Sequence, residues 1–314
     1  MSARIALPLI LFAATEAGAA CLSPAPPDPA DPARGMVRIE GGTVLMGSED
    51  HYPEERPVRE ATVGAFWIDA TEVTNAQFEA FVTATGYQTI AERGLAAEDY
   101  PDVPESLRAP GSMVFAPPAE PVALDDHTRW WRYVHGASWR APLGPGSSLE
   151  GFEHHPVVHI AIEDARAYAD WAGRSIPTEA EWEWAARGGL VGADYTWGEV
   201  YDPAAGWKAN TWQGEFPTKN TRDDGWLTTA PAGCFPPNGY GLHDMAGNVW
   251  EYVEDAWSPS PGSQEGDARQ VTVKGGSWLC TPNFCARYRP AARQPQEQAL
   301  GSNHIGFRTV FRAP

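Results

Sequence analysis

Prolines and glycines interrupt this chain so often that no long regular helix can run through it. Proline removes a backbone donor and clashes with the preceding turn, and glycine weakens helix and strand interiors alike. The 314 residues include 29 Pro and 31 Gly, yet also 14 Trp, whose surface demands burial. Disordered chains are poor in such large aromatics. The sequence therefore predicts an ordered α+β globule in which loops carry much of the core, and its length suits one large domain. A net charge of −18 argues against a nucleic-acid surface, which needs clustered cations, and against an anionic membrane surface.

The amino terminus reads as an export signal. Residues Ile5 to Ala14 are apolar behind Arg4, and Ala17-Gly18-Ala19 resembles a small-residue cleavage site. Residues 1–20 are thus expected to be removed on the way to the periplasm, the run being too short to span a bilayer. Cys21, directly after the small residues, is where a lipid anchor would attach. Residues 21–35, with five prolines from Pro24 to Pro32, are expected as an extended tether, and residues 36–314 as the folded domain. No later segment reads as a transmembrane helix.

Local signals place the main elements. Met36–Met46 and Ala61–Asp69 read as strands. Thr74 with Gln77 forms a capping box flanked by Val73 and Phe78, and Gly86 ends that helix. A second helix runs from Glu163 to Ala172. A third is capped by Thr178 with Glu181 and stops at Gly188-Gly189. Residues Tyr87 to Gly151 show no periodicity and read as a long irregular insertion.

Four cysteines are too few for a disulfide scaffold at this length. Cys280 and Cys285 stand out because Pro282 lies between them and prevents a continuous helix, so a bend can bring both sulfurs together. Spacing alone leaves three readings open: a small disulfide, two unrelated buried thiols, or a thiolate pair for a soft metal such as copper(I). Zinc would want further ligands that the neighbourhood does not offer.

Around this pair the chain reads Gly275-Gly276-Ser277, then Cys280-x4-Cys285, then Arg287-Tyr288-Arg289 and Ala291-Ala292-Arg293. That pattern resembles the active-site signature of the formylglycine-generating enzymes, the sulfatase-modifying family. The likeness extends through Thr71-Glu72-Val73-Thr74-Asn75, Pro177-Thr178-Glu179-Ala180-Glu181-Trp182-Glu183, Asn210 to Pro217, Gly247-Asn248-Val249-Trp250-Glu251 and Gly306-Phe307-Arg308. The resemblance implies a loop-rich single α+β domain of the formylglycine-generating enzyme type, C-type-lectin-like, with little regular secondary structure.

It also implies an activity: oxidation by dioxygen of a cysteine in an unfolded or peptide segment of a sulfatase-like protein, within a Cys-x-Pro-x-Arg motif, to Cα-formylglycine. Cys280 and Cys285 would ligate copper(I), with Cys285 meeting the substrate sulfur, and Ser277 and Trp250 would line the oxygen pocket. Two structural calcium sites are implied, one from Asn210, Thr211, Asp224 and Trp226, the other from Asp244, Gly247, Val249 and Glu251. Arg287, Tyr288 and Arg289 read as support for the loop, and Arg293 equally as an ordinary surface charge. Thr281 and Phe284 depart from the family's usual histidine and tyrosine. The crosslinking cysteines of secreted animal members are replaced by Ala169, Ala186, Pro290 and Thr309, and Cys234 matches no functional position. Two other functions stay open: a periplasmic relative acting on a peptide-derived metabolite, and a non-catalytic lectin-like binding module.

Overall fold

The computed structural model describes residues 21–260, 266–267 and 269–313, so the expected export signal at 1–20 lies outside the described residues. The strands are short: β1 Met36–Ile39, β2 Gly42–Met46, β3 Arg59–Val63 and β4 Phe66–Asp69 come first. Helices α1 Asn75–Thr85, α2 Ile90–Arg93 and α3 Glu105–Arg108 follow, then the hairpin of β5 Gly111–Phe115 and β6 Trp131–His135. Helices α4 Ile162–Trp171 and α5 Glu179–Arg187 precede β7 Gly214–Glu215, β8 Lys219–Asn220, β9 Trp250–Ala256 and β10 Gln270–Lys274. The chain closes with β11 Arg293–Glu297, β12 Ile305–Gly306 and β13 Val310–Phe311. Among the described residues no helix is long and apolar enough to cross a membrane.

The local signals act as expected. Thr74 caps α1 in a reciprocal box with Gln77, Thr178 caps α5 in one with Glu181, and left-handed Gly86 and Gly188 end the two helices. Helices α1 and α4 bury Phe78, Phe81 and Tyr168 in one core, while Trp182 of α5 packs with Ile68 and Val253 in a second. The insertion at 87–151 is less irregular than its sequence predicts. It contains the β5–β6 hairpin, which escapes pattern reading because β6 alternates only weakly between half-buried and exposed positions.

The sheet that positions the site has the strand order β11-β10-β9-β12. In it β12 runs parallel to β9, with Ile305 opposite Trp250. Strands β10 and β11 are antiparallel neighbours, and Lys274 at the end of one pairs with Arg293 at the start of the other. Residues 275–292, including both signature cysteines, are therefore one long excursion between registered strands.

Residues 21–35, expected as an extended Pro-rich tether, are fastened to the domain. Cys21 is disulfide-bonded to Cys234, the Ala25 carbonyl accepts from the Gln77 side chain, and Arg174 donates to the Pro32 and Arg34 carbonyls. In this disulfide-bonded form Cys21 carries no lipid anchor, because a sulfur held in a disulfide cannot also carry a thioether. The sequence hides this bond because its partners lie 213 positions apart. Closing so long a loop restricts the unfolded chain, so Cys21→Ser is expected to destabilise the protein by about 2–4 kcal/mol. Urea unfolding checks this, and a midpoint unchanged by the substitution would show the arm to be dispensable.

Candidate active site

The cysteine excursion is pinned at its base by buried charge. Lys274 and Arg293, on either side of it, both reach the buried carboxylate of Glu179 at the start of α5, at 3.4 and 2.8 Å. Lys274 also contacts Glu183 at 3.0 Å, and Glu183 pairs with Arg187 at 2.6 Å. Within the excursion Arg289 forms a two-pronged pair with the fully buried Glu55 at 2.8 and 2.5 Å. Arg293 is thus no surface charge, being only 2% exposed. Gly276 has φ +75°, and a Cβ there would sit 2.8 Å from the Arg287 carbonyl. Glycine lets the two arms of the excursion touch.

Above this base a single turn brings the sulfurs together. The amides of Phe284 and Cys285 both donate to the Thr281 carbonyl, folding the chain back at Pro282. Cys280 Sγ and Cys285 Sγ stand 2.7 Å apart as free thiols, well beyond the ~2.05 Å of a disulfide bond. Of the three readings left open by spacing, two unrelated thiols is therefore set aside. Cys280 is 1% exposed, whereas Cys285 is partly open. Burial pushes the Cys280 thiol well up, and the hydrogen bond between the two sulfurs, together with the nearby Arg287 guanidinium, draws Cys285 down. Cys285 is thus the more acidic and more accessible of the two sulfurs, and the better candidate nucleophile and metal ligand. Arg287 is held in turn by Glu54 at 2.5 Å and lies 3.7 Å above the Tyr52 ring.

Both cysteines line a cavity of about 530 Å³, shared by Ser277, Trp250, His304 and Met113. All four residues expected to be catalytic are thus gathered in one place. Aromatic side chains form much of its wall: Phe216 stacks on Phe284 at 4.4 Å, and Trp130 meets the Phe284 edge at 5.5 Å. Ser277 Oγ lies 3.1 Å from His304 Nδ1, and Trp250 donates its backbone N–H to the His304 carbonyl at 2.9 Å. Sequence reasoning missed His304, since a lone histidine carries no spacing signal.

Burial pushes His304 down to about 3, with buried His159 the lesser cause, so it works as a neutral imidazole. Unfolded, it would take up its proton near pH ~6.5. Between those values the unfolded state binds more protons, so this contribution to stability is complete above about pH 6.5 and shrinks as pH falls toward 3. Asp164, raised by burial to about 6, slopes the opposite way. The histidine effect is therefore read as a difference. His304→Gln is expected to lose stability less steeply than wild type between pH 6.5 and 5, by up to ~1.4 kcal/mol per pH unit. Parallel curves of unfolding free energy against pH would contradict a neutral buried His304.

The expected calcium ligands sit on loops that support this cavity. Asn248 links them: its N–H donates to the Asn210 carbonyl, and its side chain bonds Asn210, Ala230 and Glu72. Trp278 donates to the Asn248 carbonyl and Trp212 to the Cys280 carbonyl. Among the described residues no three His, Cys, Asp or Glu side chains converge as a ready cation cluster. In the first set both Asp224 oxygens already accept N–H groups, from Thr211, Gln213 and Trp226, so these residues fit a cation poorly. The second set fits better. Asp244 and neighbouring Glu72 each keep one buried oxygen without a partner, and both are pushed up by burial. Glu251, by contrast, is taken by Arg308 at 2.7 Å and by the Trp182 N–H.

The chain is similar to several known proteins. Residues 23–313 match the family model described as "Sulfatase-modifying factor enzyme 1-like domain". The chain is 49% identical to a formylglycine-generating enzyme of Mycobacterium tuberculosis, over 88% of this chain and 97% of that one. It is also 40% identical to an inactive Cα-formylglycine-generating enzyme 2 of Mus musculus, over 90% of this chain and 87% of that one. The solved structure of PvdO from Pseudomonas aeruginosa superposes with a TM-score of 0.59 at 25% identity, covering 88% of this chain and 94% of that one.

Proposed function

The chain belongs to the sulfatase-modifying factor enzyme family, and on that premise we propose that it converts a cysteine of a sulfatase-type polypeptide to Cα-formylglycine. Membership alone does not carry the reading, because a relative named formylglycine-generating enzyme and one named inactive both match over most of the chain. What carries it is the pair of free sulfurs, 2.7 Å apart, lining a cavity large enough for a peptide segment.

Two thiolates fit a soft monovalent ion that tolerates few ligands. Cys280 and Cys285 would hold copper(I), which when bound supplies electron transfer to dioxygen. The remaining work falls to the protein. The aromatic wall of Trp130, Phe216 and Phe284 binds an extended segment and keeps water away from the sulfurs. Cys285, the more accessible sulfur, receives the substrate thiol. Ser277, oriented by neutral His304, offers a hydroxyl beside Trp250 where oxygen would enter. In net terms the substrate Cβ–S bond gives way to C=O. Two electrons and two protons pass to dioxygen, which is reduced to the level of hydrogen peroxide, water supplies the aldehyde oxygen, and sulfide leaves.

Calcium, where bound, would use Asp244 and the carbonyls of Gly247 and Val249, offsetting the crowd of carboxylates around Arg308. The Cys21–Cys234 bond favours an oxidising compartment, in keeping with export of residues 1–20 as a signal. The test is an aldehyde assay on a peptide with a Cys-x-Pro-x-Arg core, with copper(I)-loaded protein and air. Aldehyde trapped by a hydrazide supports the reading, and an unmodified peptide after complete copper loading rejects it.

A further inference from the structure

A second cavity, of about 310 Å³, adjoins the first, and Met113 and Leu300 line both. Its wall comes largely from the 87–151 insertion: Leu95, Tyr100, Val103 and Leu107, facing Leu300 across the hollow. Two charged residues reach its lining, but each is already engaged. Arg269 pairs with Asp267 at 3.4 Å, and Glu297 accepts from the Gln270 side chain at 2.9 Å. The hollow therefore offers apolar surface and no unpaired ion. Leu107 is 41% exposed, which leaves a large apolar side chain partly bare at its edge.

We infer that this hollow is a specificity subsite that takes an apolar side chain of the substrate polypeptide, a few residues from the target cysteine. The inference rests on the oxidase reading and deepens it. Continuity is the main argument. A segment lying extended in the catalytic cavity can leave across the shared Met113–Leu300 rim, where its next inward-facing side chain meets apolar walls. Successive side chains of an extended segment alternate, so only one of each adjacent pair can enter. The occupant is thus part of the same chain that delivers the cysteine.

The experiment compares two peptides with the same Cys-x-Pro-x-Arg core. In one, leucines flank the core on both sides. In the other, serines replace them. Aldehyde formation is measured with wild-type protein, Leu107→Glu and Leu107→Met, all loaded with copper(I). Wild type is expected to show a KM about tenfold lower for the leucine peptide at similar kcat, as when an apolar group gains a pocket. Leu107→Glu should erase that preference while leaving the serine peptide unaffected, and Leu107→Met should restore most of it. Aldehyde formed from both peptides with equal KM, in every variant, overturns the subsite while keeping the oxidase. No aldehyde from either peptide rejects the oxidase reading itself. Concentration-dependent dimerisation that Leu107→Glu abolishes, with KM unchanged, would assign the hollow to a second copy of this chain and overturn the proposal.

Discussion

Replacing Cys285 with serine is expected to leave a folded protein that forms aldehyde at least about 10³-fold more slowly, a barrier increase of roughly 4 kcal/mol or more. The effect is large because this one sulfur has several tasks. It is the more accessible of the pair, it lines the cavity, and it is drawn toward the thiolate by Cys280 and Arg287. A serine hydroxyl is a hard, weakly acidic oxygen and a poor ligand for a soft ion. Folding should survive, because Cys285 is only partly buried and the turn at Pro282 is held by backbone bonds to Thr281. Near-UV circular dichroism checks the fold, and single-turnover aldehyde trapping checks the rate. Turnover within a few-fold of wild type would remove Cys285 from the chemistry.

The second large effect concerns stability. Glu179→Ala is expected to lower the unfolding free energy by about 3–5 kcal/mol, the usual loss when one member of a buried ionic cluster is removed. The carboxylate of Glu179 receives two bonds from Arg293, at 2.8 and 3.1 Å, and one from Lys274. Arg59 lies 4.0 Å away on the half-exposed side. Without Glu179, Arg293 stays buried without a carboxylate partner, and Lys274 keeps Glu183 and the Ala291 carbonyl. The contrast is Glu163→Ala, which removes an exposed pair with Arg93 and should change stability by less than about 1 kcal/mol. Urea denaturation of both variants separates the two cases. A Glu179→Ala midpoint equal to that of Glu163→Ala would mean that the charged base does not hold the excursion.

What the sequence made legible was local. The boxes at Thr74 and Thr178 need only residues three positions apart, and the bend at Pro282 needs only the two cysteines around it. A similar box at Thr89 and Glu92 was also readable and opens the short helix α2 inside the supposedly irregular insertion. The rest depends on distant partners. Arg293 looks like a surface charge until Glu179, 114 positions earlier, is brought beside it. Cys21 looks like an anchor until Cys234 arrives. His304 becomes meaningful only when β12 lies parallel to β9 and sets it against Ser277 and Trp250. The four residues expected to be catalytic do meet, whereas the oxygen donors expected for calcium are partly satisfied by the protein's own N–H groups.

The most direct test of the sulfur pair is titration with copper(I), against a competing chelator, of protein whose Cys280 and Cys285 are free thiols and whose Cys21–Cys234 bond is intact. The account expects tight binding of about one ion per chain, lost in Cys280→Ser and in Cys285→Ser while both variants stay folded and keep the Cys21–Cys234 bond. Undiminished affinity in either variant, or no binding to the wild type in that state, would contradict it.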